Sequence, residues 1–183
     1  MPRLREWTPS GRLVLGLFVA TQAVYLAMVL VTLPHLRGLA GGNDPFDLMP
    51  TGYDLPYAQY FLDAIGAEGR TYYLWRQIPL DLVYPALFGI GYGALWLWLV
   101  ARAGLAPVLR FFALLAPLAG AADYLENGLI GLMLCRFPDL TSNLVSAANA
   151  ATLLKSWTTI IFLFGLPLPL AVIAYRWTRR RFR

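Results

Sequence analysis

The stretch Phe111–Cys135, FFALLAPLAGAADYLENGLIGLMLC, decides how the chain is read. It is apolar over most of its length. It is also long enough to cross a bilayer, since about 20 residues rising about 1.5 Å each span the hydrocarbon core. Its middle carries Asp123, Glu126 and Asn127. An ionisable group at the centre of a membrane helix costs about 2.5–3.5 kcal/mol on insertion scales. Two carboxyls one turn apart therefore need partners, water or protons. The spacing places all three polar side chains on one side of the helix, while Tyr124 points elsewhere.

Three more apolar stretches accompany this one. The expected spans are residues 13–33, 74–100, 111–135 and 146–174, the last long enough to require tilt or an interfacial first turn. With 183 residues, 58% hydrophobic and 14% charged, the chain falls well short of the share of charge carried by soluble domains. The expected fold is all-α: a polytopic membrane protein forming one four-helix transmembrane bundle, with a short interfacial helix in the first outer loop. The first apolar run is too long for the core of a signal peptide and is read as a retained helix.

A single Cys135 and a single His35 exclude an intramolecular disulfide and leave no cysteine–histidine set for zinc or haem. No phosphate-binding glycine motif is present. No metal, cofactor or nucleic acid is expected as a ligand or partner.

Orientation follows from arginine. Arg3, Arg5 and Arg12 precede the first span, Arg102 and Arg110 lie between the second and third, and residues 176–183 form a basic tail. The other side mixes Arg37, Arg70, Arg76 and Arg136 with Asp44, Asp47, Asp54, Asp63, Glu68 and Asp139. The positive-inside rule puts both termini in the cytoplasm. Lys155 is the only lysine, and this arginine bias with abundant Ala and Leu is associated with GC-rich bacterial genomes, so the expected location is a bacterial inner membrane. Membrane lipids are the expected partners of the basic tail. Aromatic residues near the span ends, Tyr72, Tyr73 and Trp75 on one side and Trp7, Trp96, Trp98, Tyr175 and Trp177 on the other, read as interfacial belts.

The first outer loop opens with Gly41-Gly42-Asn43-Asp44-Pro45, a turn signal. Asp54 then suits an N-cap, Pro56 a first turn and Gly66 a C-terminal stop. Leu55, Ala58, Leu62 and Ile65 share a face, so a short helix is expected against the outer end of the bundle.

Two other stretches offer partners for the acidic turn. Asp81 lies in the second span, followed at helical spacing by Tyr84, Pro85, Phe88 and Tyr92. Pro79 and Pro85 interrupt the hydrogen-bond ladder there and free carbonyls for neighbouring groups. Gly89 and Gly93 mark close helix packing. In the fourth span Lys155 has Asn149, Thr152, Ser156 and Thr159 around it. Three helices thus put ionisable groups at comparable depth, with more carboxyls than cations, and at least one of Asp123 and Glu126 is expected to hold a proton at neutral pH.

The expected functional residues are Asp123 and Glu126 in an acid–base role, with Asp81, Tyr84, Tyr92, Asn127, Lys155 and Arg76 binding the ligand. Tyr124 is a further candidate for the apolar wall. The expected function is binding, with or without acid–base conversion, of a lipophilic small molecule inside the bundle. Proton- or ion-linked transport is a second reading, and four helices without internal repeats would need a homo-oligomer for it. A non-catalytic assembly subunit held to partner helices is a third.

Overall fold

The computed structural model describes residues 8–181, with side chains up to residue 179. Arg3, Arg5, Trp7 and Arg183 lie outside the described residues, as do the side chains of Arg180 and Arg181. Among the described residues the chain is helical and contains no strand. Four helices are long and apolar enough to cross a membrane: Gly11–Leu39, Gly66–Ala103, Pro107–Arg136 and Ser142–Arg179. They are called the first to fourth spans. The first packs on the second, the second on the third and the third on the fourth, whereas the first and fourth make no comparable contact with each other.

Small residues set the tightest of these contacts. A Cβ on Gly120 would lie 2.7 Å from the Pro85 carbonyl oxygen, and one on Gly89 would lie 3.1 Å from Pro117 Cα. The second and third spans approach so closely that a methyl group at either site meets backbone. Gly89 thus serves packing within the chain.

The first two spans are longer than expected, and for the same reason. The first contains a π-helical turn at Met28–Thr32, after which Leu33 N–H bonds to the Met28 carbonyl. The second contains one at Tyr73–Gln77, after which Ile78 N–H bonds to the Tyr73 carbonyl. A proline follows each turn, Pro34 in one and Pro79 in the other. Proline has no N–H to give the ladder and would crowd a regular turn; the wider turn makes room for it. The helix therefore continues past Pro34 to Leu39 instead of stopping at residue 33, and the second span starts at Gly66. The fourth span is divided, with Ser142–Gly165 followed after Leu166 by Pro167–Arg181.

Between the first two spans lies the helix Leu55–Ala64, capped by Asp54, whose Oδ1 accepts from Tyr57 N–H at 2.9 Å. It buries Ala58, Phe61 and Leu62. With Phe46 and Tyr53 from the preceding loop, this face packs on Tyr73, Ile78, Ile130, Met133 and Val145 to form one hydrophobic cluster at the loop end of the bundle. A second cluster, built on Phe88, Trp96, Ala116, Ala119 and Phe162, fills the opposite half.

Two aromatics leave the expected belts. Tyr73 is fully buried, because the π-helical turn that begins with it faces its ring inward. Trp96 is 2% exposed and donates its indole N–H to the Leu109 carbonyl at 2.7 Å. A Trp is free to leave the interface when its one donor finds a partner inside.

Candidate functional site

A polar layer separates the two clusters. Along the second span Ile78 belongs to one cluster and Phe88 to the other, with Asp81 between them. Along the third, Asp123, Glu126 and Asn127 lie between Ala119 and Ile130, and along the fourth, Thr152 and Lys155 lie between Ala148 and Phe162. The depth coincidence read from the sequence is thus a contact among side chains.

Lys155 is the hub. Its Nζ donates to Asp123 Oδ1 at 3.3 Å and forms an ion pair with Glu126 Oε2. Glu126 is fully buried, and its Oε1 accepts from the Thr152 hydroxyl at 2.6 Å. Charge-assisted bonds of this kind are what make a buried carboxylate tolerable.

Asn127 ties this group to the second span. Its Nδ2 donates to Asp123 Oδ1 at 3.2 Å and to the Asp81 carbonyl oxygen at 2.8 Å. That carbonyl is free because residue 85, four positions on, is a proline and cannot bond back to it. The interruption read from the sequence thus creates an acceptor, and Asn127 fills it. Asp81 Oδ2 accepts from Gln77 Nε2 at 3.5 Å, and Gln77 Oε1 accepts from the Thr32 hydroxyl. The two π-helical turns meet through this pair.

The sequence reading missed one member. Asp47, one of the acids that the sequence places in the outer loop, turns inward from a short 3₁₀ turn at Phe46–Leu48. Its Oδ2 accepts from the Tyr73 hydroxyl, and its Oδ1 is buried without a partner. Burial pushes the Asp47 carboxyl up. The neighbouring Asp81 side chain, the Lys155 charge and the Tyr73 hydroxyl outweigh it and hold the carboxyl below its ordinary value. The overlooked signal is local: Asp47 stands inside the apolar run Phe46 to Pro50, unlike Asp44 before it.

The loop is held in this place by the fourth span. Asn149 Oδ1 accepts from Tyr53 N–H at 2.9 Å. Gly52 beside it has φ +86°, and a Cβ there would sit 2.2 Å from Asn149 Oδ1. Asn149, expected near Lys155, instead anchors the loop.

A cavity of about 240 Å³ opens on the polar layer. Asp47, Asp81, Asp123 and Lys155 supply its charged wall, and Tyr25, Met28, Tyr84, Phe88 and Ile160 its apolar one. Ser156 and Thr159 complete the side formed by the fourth span. Glu126 and Asn127 lie behind these groups and act through Lys155, Asp123 and Asp81. Among the described residues, no group of three or more His, Cys, Asp or Glu side chains is arranged to hold a metal ion.

Three expected residues fall elsewhere. Arg76 is exposed on a surface groove with Glu68, Thr71 and Trp75, so the charge sum of the layer goes uncorrected by it. Its π-helical turn directs Tyr73 and Gln77 inward and Arg76 outward. Tyr92 lies one turn beyond Phe88, outside the charged cavity, and its hydroxyl accepts from Gln22 Nε2 at 2.9 Å. Tyr124 lines a separate apolar groove and donates to the Leu82 carbonyl at 2.8 Å.

No protein-family model matches the chain, and no curated protein and no solved structure shows significant similarity to it.

Proposed function

We propose that this is an integral membrane protein that binds a lipophilic small molecule within its bundle, at the cavity between the loop 40–54 and the polar layer. The observation that carries this reading is the lining of that cavity: carboxyls and one ammonium on one wall, aromatic and aliphatic side chains on the other. Concave sites with a few convergent polar groups in an apolar lining are the usual form of small-molecule pockets. Asp81 and Asp123 are the groups positioned to exchange a proton or a hydrogen bond with a ligand, with Glu126 setting the charge behind Lys155. The carboxyls outnumber the single ammonium, and a proton on one of them belongs to this proposal.

The distribution of arginine supports a cytoplasmic placement of both termini, and the use of arginine in place of lysine is the ground for a bacterial inner-membrane location. Transport has less support. From the polar layer toward the end where the first span begins and the fourth ends, the buried core holds Phe88, Trp96 and Phe162 rather than further polar groups.

Native mass spectrometry of the protein released from lipid nanodiscs tests the pocket, comparing wild type with Ser156→Phe, which fills the cavity, and Glu126→Gln. The expected result is a bound adduct in wild type that is absent from Ser156→Phe and reduced in Glu126→Gln. An adduct retained by both variants, or none in wild type, would sink the reading. A stoichiometric protein partner in place of a small adduct would move the assignment to an assembly subunit.

A further inference from the structure

A second volume lies beyond the charged cavity, with the stacked rings of Phe88 and Tyr92 between the two. An apolar slot of about 440 Å³ runs through the other half of the bundle, lined by Leu15 and Phe18 of the first span, Tyr92 and Leu95 of the second, and Leu163 and Leu170 of the fourth. The same three helices line both volumes, and on each the lining positions follow at helical spacing. On the fourth span Ser156, Thr159 and Ile160 face the cavity, and Leu163, Leu166 and Leu170 face the slot. On the second span Asp81, Tyr84 and Phe88 are followed by Tyr92, Leu95 and Leu99. Recurrence at three and four residues keeps these groups on one face of each helix. The Phe88 and Tyr92 rings stack with centroids 4.6 Å apart, so the two volumes share a wall.

Both volumes lie where the first and fourth spans fail to pack. Large apolar side chains are left exposed on either side of that gap, among them Leu15 at 63% and Leu163 at 41%. From Ser156 to Leu170 the fourth span rises about 21 Å. Placed end to end along these helices, the two volumes offer a charged end and an apolar length.

The charged end is selective in sign. Asp47, Asp81 and Asp123 face it, and the one facing ammonium, Lys155, is already bonded to Asp123 and Glu126. The charge left unmatched is negative, and Asp47 Oδ1 is buried without a donor.

We infer that cavity and slot form one trough for a single-chain amphiphile with a protonated amine head, the head held by Asp47, Asp81 and Asp123 and the chain laid along Tyr92 and Leu95 between the first and fourth spans. This rests on the pocket reading and adds the ligand's class and its direction. The ammonium supplies the donors and the charge that the acidic end lacks. The chain covers apolar side chains that the two spans leave bare.

Octylamine, dodecylamine and hexadecylamine, with dodecanol and dodecanoate as controls, test this through concentration-dependent thermal unfolding of the detergent-solubilised protein. Wild type is compared with Leu163→Trp and Leu15→Trp, two variants that fill the slot from opposite walls, so that one remains informative if the other misfolds. All three proteins sit in the same micelle, so probe partitioning cancels between them. Referred to the free aqueous amine concentration, the affinity of wild type should rise about tenfold or more from octylamine to dodecylamine, as methylenes buried from water require. In the slot-filled variants that rise should disappear while octylamine binding persists. Dodecanol and dodecanoate should bind more weakly than dodecylamine. Affinity independent of chain length, or a rise that survives both variants, overturns the chain's path. Equal binding of dodecanol or dodecanoate overturns the amine head. If no amine binds but the adduct lost in Ser156→Phe is present, the trough falls and the pocket stands. If neither is seen, both fall.

Discussion

Replacing Lys155 by Met is the sharpest perturbation the polar layer offers. The methionine keeps the length of the side chain and removes its charge. Glu126, 0% exposed, then retains Thr152 on one oxygen and nothing on the other, and Asp123, 6% exposed in its side chain, retains Asn127. Removing one partner of a buried ion pair costs about 3–5 kcal/mol, because the remaining charge stays buried. Lys155 keeps 16% of its side-chain surface exposed, which lets water soften the loss. A value near the lower end, about 3 kcal/mol, is therefore expected. An interhelical hydrogen bond acting as neutral glue would give only about 0.6 kcal/mol, and at most about 1.7, in a membrane protein. The two magnitudes are far enough apart to decide between the roles.

The assay is reversible unfolding in mixed micelles, followed by tryptophan fluorescence. Lys155→Met, Glu126→Gln and the double variant are measured against wild type. If the cost is a stranded charge, the double variant recovers a large part of it, with a coupling of about 2 kcal/mol, within the range of contacting pairs. A loss of about 1 kcal/mol or less in Lys155→Met, or a double variant no more stable than the single, would refute the hub role.

Two further outcomes follow from the geometry. Asn127→Ala strands the Asp81 carbonyl that Pro85 leaves free, and a buried acceptor without a donor costs about 1–3 kcal/mol; in a Pro85→Ala background the restored N–H should shrink that cost, measured in the same unfolding assay. Asp47 has a depressed folded-state value, so its contribution is fully present above the unfolded carboxylate value of about 4 and is lost as pH falls below it. The Asp47→Asn stability difference should therefore stay flat from about pH 8 to 5 and shrink progressively as pH falls below about 4, whereas a steady decline across pH 5–8 would mean that Asp81, Lys155, Tyr73 and Asp47 do not share charge as described.

Much of the fold was legible because its causes are local. Apolar length marks the four crossing helices, Asp54 with Pro56 marks the cap helix, and the Asp123–Glu126–Asn127 face needs nothing beyond helical spacing. Proline positions were half legible. That Pro85 frees a carbonyl is a rule of the backbone, and it identified an acceptor before its partner was known. That Pro34 and Pro79 would each follow a π-helical turn was not legible, because a regular helix end satisfies the same local rule. Those turns decide which way Tyr73, Arg76 and Gln77 face, so the assignments of Tyr73 and Arg76 failed together. Asp47 was missed for a different reason. Its burial depends on where Gly52 and Tyr53 meet Asn149, a contact between residues about a hundred positions apart in sequence, and no periodicity reports on that.

The loop and the ligand site are consequently not separable. Lys155, Asp123 and Glu126 sit on the third and fourth spans, the most extensively packed pair, and contact one another without a loop residue between them. Asp47, Leu48 and Pro50, which border the cavity, come from the loop. A ligand that touches Asp47 binds the docked loop better than an undocked one. It must then stabilise docking by the ratio of its two affinities, and docking must favour the ligand by the same factor. The Tyr53–Asn149 bond lies outside the cavity, so weakening it alters the docking equilibrium while leaving every cavity-lining side chain chemically unchanged. An amine bound through Asp47 must lose affinity under that change. A ligand held by Lys155 and Asp123 alone need not, and the difference identifies which wall of the cavity does the binding.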